Sequence, residues 1–309
     1  MDVLANNLQV LFQGLALGSI YALVSLGFVL IIRATNVVNF AQGDFAMLGG
    51  YAMILFTVGM PGNPELHIPG FAVHVPYWLA IALAAVVMAL IGVAFNYGVY
   101  YPLRNRSFLP VLISTLGASI FLQNTVLALF NPQPRPLDKL FNVEGVTIGG
   151  VFLDSQYLVI LGFTILAVAF QYFFFEHTLI GKKLQATSQD KDMARLLGIP
   201  VTLMIIITFV YSAVLGGLAG MLVAPILFVS IGMGSTIALK AFAATIIGGF
   251  GDVRGAIVGG LIIGVVESLA AYHIPNGVPY KDAYAFLALF LVLLFRPQGI
   301  FGEKVSEKA

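Results

Sequence analysis

Cysteine is absent from this chain, and charged residues are scarce. Without cysteine the protein can form no disulfide and no thiolate metal site. Only 9% of its residues are charged, whereas charged residues make up about a quarter of a typical soluble protein. The net charge of +1 argues against a nucleic-acid partner, which would require a basic face or stripe. The scarcity of charge indicates a membrane protein.

Motifs for enzyme chemistry are also missing. No glycine-rich phosphate loop ends in Gly-Lys-Ser or Gly-Lys-Thr, so the chain cannot by itself be a P-loop ATPase. The histidines lie near the ends of apolar runs without metal-ligand spacing, at His67, His74, His177 and His273. Ser19, Ser114 and Ser119 have no base nearby in sequence and are interpreted as helix-packing residues. We predict that the protein is not an enzyme and has no catalytic residue, metal site or cofactor.

What the sequence does contain is long apolar segments. Hydrophobic residues make up 60% of the chain, and the mean hydropathy is +0.98. Six runs approach the length of about 20 residues that a membrane-spanning helix needs, at residues 8–32, 37–58, 76–100, 108–130, 156–175 and 201–224. Three more follow, a short one at 236–250, a glycine-rich one at 255–272 and a last one at 283–295.

These runs predict an all-α polytopic membrane protein with about eight or nine transmembrane helices. The whole of residues 1–309 would form a single transmembrane domain. The run at 236–250 is too short to span easily, so we expect a half-helix or a re-entrant segment there. Such broken or short helices are typical of transporters that are built from inverted repeats.

The basic residues predict the orientation, because cytoplasmic loops carry an excess of Lys and Arg. If the N-terminus lies outside and all nine runs cross, one side collects Arg33, Arg104, Arg106, Lys182, Lys183, Lys191, Arg195, Arg254, Arg296, Lys304 and Lys308. The other side keeps Arg135, Lys139, Lys240 and Lys281. We therefore predict an external N-terminus, a cytoplasmic C-terminus and a cytoplasmic segment at residues 176–200.

Residues 176–200 form the longest polar, charge-rich segment of the sequence. We predict that Thr187 caps a short helix there, with Asp190 in place of the capping-box carboxylate, and that Gly198 ends it. One face of that helix would carry the apolar residues Met193, Ala194 and Leu197. Such a helix can dock into a groove on a soluble partner. The alternative is a solvated loop that joins two spans and binds nothing.

Two segments that we place on the external side of the membrane, residues 59–75 and 131–155, are rich in proline and glycine. Within the second, residues 143–152 are broken by Gly145 and by Gly149-Gly150, which is typical of a small β-hairpin. Either segment could receive an external protein. The alternative is that each one only connects two spans.

A second polar set lies at residues 36–44, which we place at the cytoplasmic end of the second span. Asn39, Gln42 and Gly43 share one helical face. Asp44 would cost about 2.5 to 3.5 kcal/mol at the bilayer centre, so it should face protein or water. We predict that Asn39, Gln42 and Asp44 line a substrate pathway. The alternative is that Asp44 caps a broken helix near the membrane interface.

A glycine-interrupted counterpart occurs at residues 239–252, where Gly248 and Gly249 correspond to Gly49 and Gly50 of the earlier run. The two runs cross the membrane in opposite directions, as in an inverted repeat, and transporters place their pathway between such broken elements. We therefore add Gly248 and Gly249 to the predicted pathway. The alternative is chance agreement in an apolar, glycine-rich chain.

Glu267 is the deepest acidic residue of the eighth run, where a lone carboxylate should pair or become protonated. Lys240, on the preceding segment, is its candidate partner. We predict an intramembrane charge pair that holds the seventh and eighth segments together. The alternative makes Lys240, Glu267 and Asp44 the ion or proton groups of a secondary transporter or channel that acts alone.

Four stretches together resemble a known family: GLALGSIYALVSLG at residues 14–27, VNFAQGD at 38–44, LGI at 197–199 and LKAF at 239–242. In this order they are similar to the permease subunits of bacterial branched-chain amino acid ABC importers of the LivH type, and the resemblance covers essentially the whole chain. Gln42 stands where His or Gln is usual, and Asp44 where an acidic residue is usual. Gln185 departs from the pattern, since many relatives have Arg there.

The resemblance implies a permease of the bacterial cytoplasmic (inner) membrane that works by alternating access. It implies two cytoplasmic ABC ATPase subunits, a second LivM-like permease subunit and an extracytoplasmic substrate-binding protein as partners. In the family, the segment that matches residues 181–198 is the coupling helix that sits in a cleft of the ATPase. This assigns the ATPase contact to Ala186, Asp190, Met193, Ala194, Arg195, Leu197 and Gly198.

For a branched-chain amino acid, Asn39 and Gln42 would offer hydrogen bonds to the zwitterionic end of the substrate. Relatives for urea, short amides or other amino acids share the same motifs, so these substrates remain alternatives within the family.

Overall fold

The computed structural model describes residues 3–61, 70–141, 145–148 and 150–302. In these ranges the chain forms α1 (Val3–Thr35), α2 (Gln42–Thr57), α3 (Tyr77–Phe95), α4 (Phe108–Phe130), α5 (Ser155–His177), α6 (Leu179–Gln189), α7 (Lys191–Leu196), α8 (Val201–Leu227), α9 (Met233–Gly248), α10 (Val253–His273) and α11 (Lys281–Phe295). The only strands in the described part are β1 (Gly145–Ile148) and β2 (Val151–Asp154). The prediction of an all-α polytopic membrane protein is confirmed.

Seven helical segments are long and apolar enough to cross a membrane, namely α1, α4, α5, α8, α10, α3 together with the turns that follow it (Tyr77–Leu103), and α11 together with the turn before it (Val278–Phe295). The helices α2 and α9 have only 16 residues each. At 1.5 Å per residue they are about 24 Å long, which is less than the hydrocarbon thickness of about 30 Å. The expected short helix near residues 236–250 is therefore confirmed. The expectation that residues 37–58 form one complete span is wrong, because residues 37–41 form a loop before α2.

The short helices α2 and α9 each follow a long helix, α1 or α8, that ends at a residue with positive φ. Asn36, with φ of 60°, ends α1 before the loop to α2, and Phe228, with φ of 58°, ends α8 before the loop to α9. The side chain of Arg33 at the end of α1 donates to the carbonyl of Gly251, beyond the end of α9, whereas α8 leads into the start of α9. The helices α1 and α8 therefore point in opposite directions, and α1–α2 and α8–α9 form an inverted repeat.

The first turns of α2 and α9 cross at Gly43 and Gly234, each the second residue of its helix. A Cβ added to Gly43 would collide with the carbonyl oxygen of Gly234, and one added to Gly234 would collide with the carbonyl oxygen of Gly43. Only glycine permits this approach of two backbones. The predicted register, which matched Gly49-Gly50 to Gly248-Gly249, is wrong because the contact joins the starts of the two helices.

The core is built around α1. In the most hydrophobic 18-residue stretch of α1, 89% of the residues are buried, and α1 packs against α8, α9 and α10. Glycines at Gly14, Gly18, Gly260 and Gly264 allow α1 and α10 to approach closely, as small residues do between membrane helices. The helices α4, α5 and α11 lie at the periphery with their apolar side chains largely exposed. These surfaces suit contact with lipid or with other subunits.

The hairpin predicted at residues 143–152 is confirmed as β1 and β2, which pair antiparallel from Gly145–Asp154 to Ile148–Val151. The ammonium group of Lys139 lies 2.7 Å from the Asp154 carboxylate and ties the preceding segment to the end of β2. Residues 62–69, 142–144 and 149 of the two proline- and glycine-rich segments lie outside the described residues, as do His67, Lys304 and Lys308.

A substitution on α8 tests the packing of the inverted repeat. In α8, a Cβ on Gly220 would collide with the carbonyl oxygen of Ala46 in α2, whereas a Cβ on Gly162 in α5 would meet nothing within 4 Å. We expect Gly220→Val to lower the stability by about 1–3 kcal/mol, because overpacking forces the helices apart. Gly162→Val is the matched control and should leave the thermal midpoint of the detergent-purified protein unchanged. Equal midpoints for both variants would contradict this packing.

Candidate functional site

Gln42 and Asn39 are held inside the protein at the start of α2. Gln42 is fully buried, and its Oε1 lies 2.8 Å from the hydroxyl of Ser212 in α8. The same hydroxyl lies 3.0 Å from the carbonyl oxygen of Gly27 in α1. Asn39 Oδ1 accepts a hydrogen bond from the Ala41 amide at 3.1 Å. These contacts clamp the first turn of α2 to α1 and α8.

Asp44 is buried beside α4. One carboxylate oxygen, Oδ1, accepts a hydrogen bond from Gln123 Nε2 at 2.9 Å, and the same amide lies 3.2 Å from Ser119 Oγ. The other oxygen, Oδ2, has no hydrogen-bond partner among the described residues. Because Ser119 is the central residue of α4 and Ser212 lies near the middle of α8, this polar set is level with the middle of both helices. The predicted position at the cytoplasmic end of a span is therefore wrong.

A cavity of about 190 Å³ opens beside Asp44, between α1, α2, α4 and α9. Its polar lining consists of Asp44, Ser119, Gln123 and Ser235. Its remaining wall is formed by Phe28, Phe40, Gly43, Ala238, Leu239 and Phe242. Of the residues predicted for the pathway, Asp44 lines this cavity, whereas Asn39 and Gln42 lie behind its wall.

Gly248 and Gly249 lie at the other end of α9. Gly248 is 14 residues after Gly234, or about 21 Å along a helix. Gly248 packs against Gly255 at the turn into α10, and Gly249, with φ of 114°, packs against Gly302. The structure therefore does not bring these two glycines to the cavity.

The sequence analysis missed two lining residues on α4. Ser119 was interpreted as a packing residue, and Gln123 was not considered. The two are four residues apart in an apolar helix, and the amide of Gln123 donates to Asp44 and lies within hydrogen-bond distance of Ser119. Polar residues at this spacing on an otherwise apolar span mark one helical face, and that signal could have identified them.

Lys240 is the centre of a buried charge cluster. Its ammonium group lies 2.8 Å from Glu267 in α10 and 2.8 Å from Asp282 in α11. Tyr21 in α1 donates its hydroxyl to Glu267 at 3.0 Å. Lys240 and Glu267 are buried, and the side chain of Asp282 is 62% exposed. The predicted partners Lys240 and Glu267 thus lie in direct contact. Tyr21 and Asp282, which the sequence did not indicate, extend the cluster over α1, α9, α10 and α11.

The segment 176–200 forms two helices instead of one. Thr178 caps α6 by accepting from the Gly181 amide, and Asp190 caps α7 by accepting from the amides of Asp192 and Met193 at 2.9 and 3.0 Å. Thr187 lies inside α6, where its hydroxyl donates to a backbone carbonyl at 2.8 Å. The prediction that Thr187 caps the helix is wrong, because α6 starts nine residues earlier at its own cap. As predicted, Gly198 ends the segment, with φ of 75°.

The helix α7 turns one apolar side chain inward and the others outward. Ala194 is buried, and its carbonyl accepts from the Ile199 amide at 3.0 Å. Met193, Leu196 and Leu197 are 54%, 82% and 71% exposed. The prediction that Met193, Ala194 and Leu197 share a face is therefore corrected. The three exposed side chains form an apolar patch, which we call the α7 patch, and such patches mark interaction sites.

Comparison with known proteins places the chain in a family. A family model described as "Branched-chain amino acid transport system / permease component" matches residues 10–295. The chain belongs to this permease family. It is 34% identical over 313 residues to the high-affinity branched-chain amino acid transport system permease protein LivH of Escherichia coli strain K12, with 97% of both chains covered. It is also 33% identical over 318 residues to the permease protein BraD of Pseudomonas aeruginosa, with 100% of both chains covered.

The resemblance that the four sequence stretches indicated is thus confirmed along the full length of the permease. The family match runs from residue 10 in α1 to the end of α11, so the cavity beside Asp44, the Lys240 cluster and the α7 patch all lie within the part that defines the family.

The Lys240 cluster of this permease can be tested by removing one charge or both. Lys240→Met should lower stability by about 3–5 kcal/mol, because it leaves Glu267 buried without its partner. The double variant Lys240→Met, Glu267→Gln should recover most of this loss. Lys139→Met, which breaks a half-exposed ion pair, is the control and should cost about 1 kcal/mol or less. The measurement is the thermal midpoint of each variant in the same detergent. If the losses of stability from the two substitutions simply add in the double variant, the two residues do not stabilise each other.

Proposed function

We propose that this chain is the transmembrane permease subunit of an ATP-driven ABC importer for branched-chain amino acids. The observation that carries the proposal is the full-length similarity to relatives that bear this description. The chain has no phosphate loop of its own, so ATP hydrolysis belongs to partner subunits. Urea, short amides or other amino acids are the alternative substrates within the family.

The partners are two cytoplasmic ABC ATPase subunits, a second LivM-like permease and an extracytoplasmic substrate-binding protein. For the ATPase, the α7 patch supplies an exposed apolar surface on a charged segment. Asp190 and Gly198 fix the two ends of α7, and Ala194 anchors it. Ala186 in α6 and Arg195 in α7 complete the proposed contact with the ATPase.

The coupling segment is firmly attached to the membrane domain on both sides. Gly181 packs directly on the backbone of Phe174 and Phe175 at the end of α5, and Leu184 is buried. At the other end, the Ala194–Ile199 hydrogen bond joins α7 to the start of α8. A displacement of α7 by closing ATPases would therefore move α5 and α8, and α8 carries Ser212, which holds the start of α2.

Alternating access follows if the closed ATPases bind the outward-open permease more tightly than the inward-open one. Without such a difference in affinity, ATP would shift no population. In this mechanism Asp44 lines the pathway, and Asn39 and Gln42 hold the first turn of α2 in place. Gly248 and Gly249 form the turn that would pass movement of α9 on to α10.

The permease lies in a bacterial cytoplasmic membrane, which it crosses several times. We propose that the N-terminus is external and the C-terminus cytoplasmic. Eleven of the 15 basic residues then lie on the cytoplasmic side, provided that α2 and α9, each with the loop before it, also pass from the interior of the bundle to a membrane face. The same orientation places the α7 patch in the cytoplasm, where ATPase subunits are found.

The coupling role is tested by purifying the tagged permease from its own cell in mild detergent and identifying the attached proteins by mass spectrometry. We expect ATPase subunits and a second permease to co-purify. Arg195→Glu combined with Leu197→Glu should release the ATPases and abolish ATP-driven leucine uptake in vesicles, because charge is added to the α7 patch. Arg106→Glu, which reverses the charge of an exposed arginine outside the segment, is the control.

Retention of the ATPases by the double variant would disprove the contact at α7. If the chain instead purifies alone and transports solute without ATP, the importer is the wrong class. The Lys240 cluster would then be the place to look for ion or proton coupling.

A further inference from the structure

We propose that the cavity beside Asp44 binds the α-ammonium group of an amino acid during its passage through the permease. The proposal rests on the proposed function, since it assigns the recognition of substrate within the same pathway. It differs from the expectation that Asn39 and Gln42 recognise the zwitterion, because neither of these buried side chains lines the cavity.

The first argument is the incomplete pairing of Asp44. The residue is 2% exposed, and a neutral amide, that of Gln123, occupies only one of its carboxylate oxygens. Among the described residues Asp44 forms no salt bridge, and its Oδ2 has no hydrogen-bond partner. A buried carboxylate without a cation is costly, and a ligand ammonium group would supply both the missing charge and the missing donor.

The second argument is the contrast with the Lys240 cluster. There the same chain balances two carboxylates with an ammonium group and a tyrosine hydroxyl of its own. The cavity has no such internal partner among the described residues, although Asp44 is just as deeply buried as Glu267. A binding site for an external cation requires a carboxylate of this kind, which no internal cation neutralises.

The third argument is the shape and polarity of the remaining wall. The first turn of α9 lines the cavity through Ser235, and the positive end of a helix dipole favours a carboxylate group there. Phe28 and Phe40 lie 5.7 and 6.3 Å from the ring of Phe242 and form an apolar wall. The cavity thus offers a carboxylate for the ammonium group of an apolar amino acid, a helix start for its carboxylate and an aromatic wall for its aliphatic side chain.

The fourth argument is size. The cavity measures about 190 Å³. An engineered apolar cavity of about 150 Å³ is known to hold benzene, a molecule with fewer heavy atoms than valine or leucine. The space is therefore large enough for an aliphatic amino acid.

The experiment measures equilibrium binding of tritiated leucine to the permease complex in lipid nanodiscs, without the binding protein and without ATP. We expect Asp44→Asn, which keeps the shape of the side chain, to weaken leucine binding about tenfold or more, because a hydrogen bond between charged groups is lost. Asp138→Asn, at an exposed carboxylate, is the control and should bind leucine like the unmodified protein. Thermal midpoints of all three proteins show that they are folded.

A second measurement needs no variant. In the unmodified complex, 3-methylbutylamine keeps the ammonium group and the side chain of leucine, and it should compete with tritiated leucine. In Asp44→Asn this competition should be lost. Unchanged leucine affinity in a folded Asp44→Asn protein would overturn the proposal, and so would failure of the amine to compete.

The two proposals can fail separately. If ATP-driven leucine uptake is present but Asp44→Asn binds leucine normally, the importer assignment stands and the role of Asp44 falls. If the unmodified complex neither binds leucine nor transports it, both fail together.

Discussion

The contact between Gly43 and Gly234 fixes how α2 and α9 cross, and the surrounding helices pack around this crossing. It brings the first turns of two short helices together at the level of the middle of α4 and α8. A helix start leaves backbone amides without helical partners, which membrane lipid cannot satisfy. The protein therefore has to surround this crossing with polar groups and close packing, and the cavity beside Asp44 lies against it.

Buried polar groups in this core fall into three cases that differ in how completely they are paired. Gln42 is hydrogen-bonded through Ser212 to two other helices, and Lys240 neutralises Glu267 within the cluster. Asp44 has a partner for one carboxylate oxygen only. An unpaired buried charge is unfavourable. Gln42 and Lys240 are paired within the protein, so we interpret them as structural links between helices. Asp44 differs because its pairing is incomplete.

The segment at residues 176–200 shows the opposite balance, with few buried contacts and much exposed apolar surface. Ala194 and the Asp190 cap are enough to define α7, while the α7 patch remains open. Close packing and backbone hydrogen bonds join the segment to α5 and α8, and α8 carries Ser212, which contacts the start of α2. The α7 patch and the interior cavity are thus connected by packing, although they are far apart in sequence.

The membrane class, the approximate helices, the hairpin, the family and the Lys240–Glu267 partners could be predicted from the amino-acid sequence. Hydrophobic run length and the cost of a lone buried carboxylate are local or pairwise properties, and they can be read from one chain. The tertiary structure was needed to show that α2 starts near the middle of the bundle, that Gly43 meets Gly234, and that Ser119 and Gln123 complete the surroundings of Asp44. These depend on which helices pack together and at what depth, whereas periodicity within one helix shows only which residues share a face.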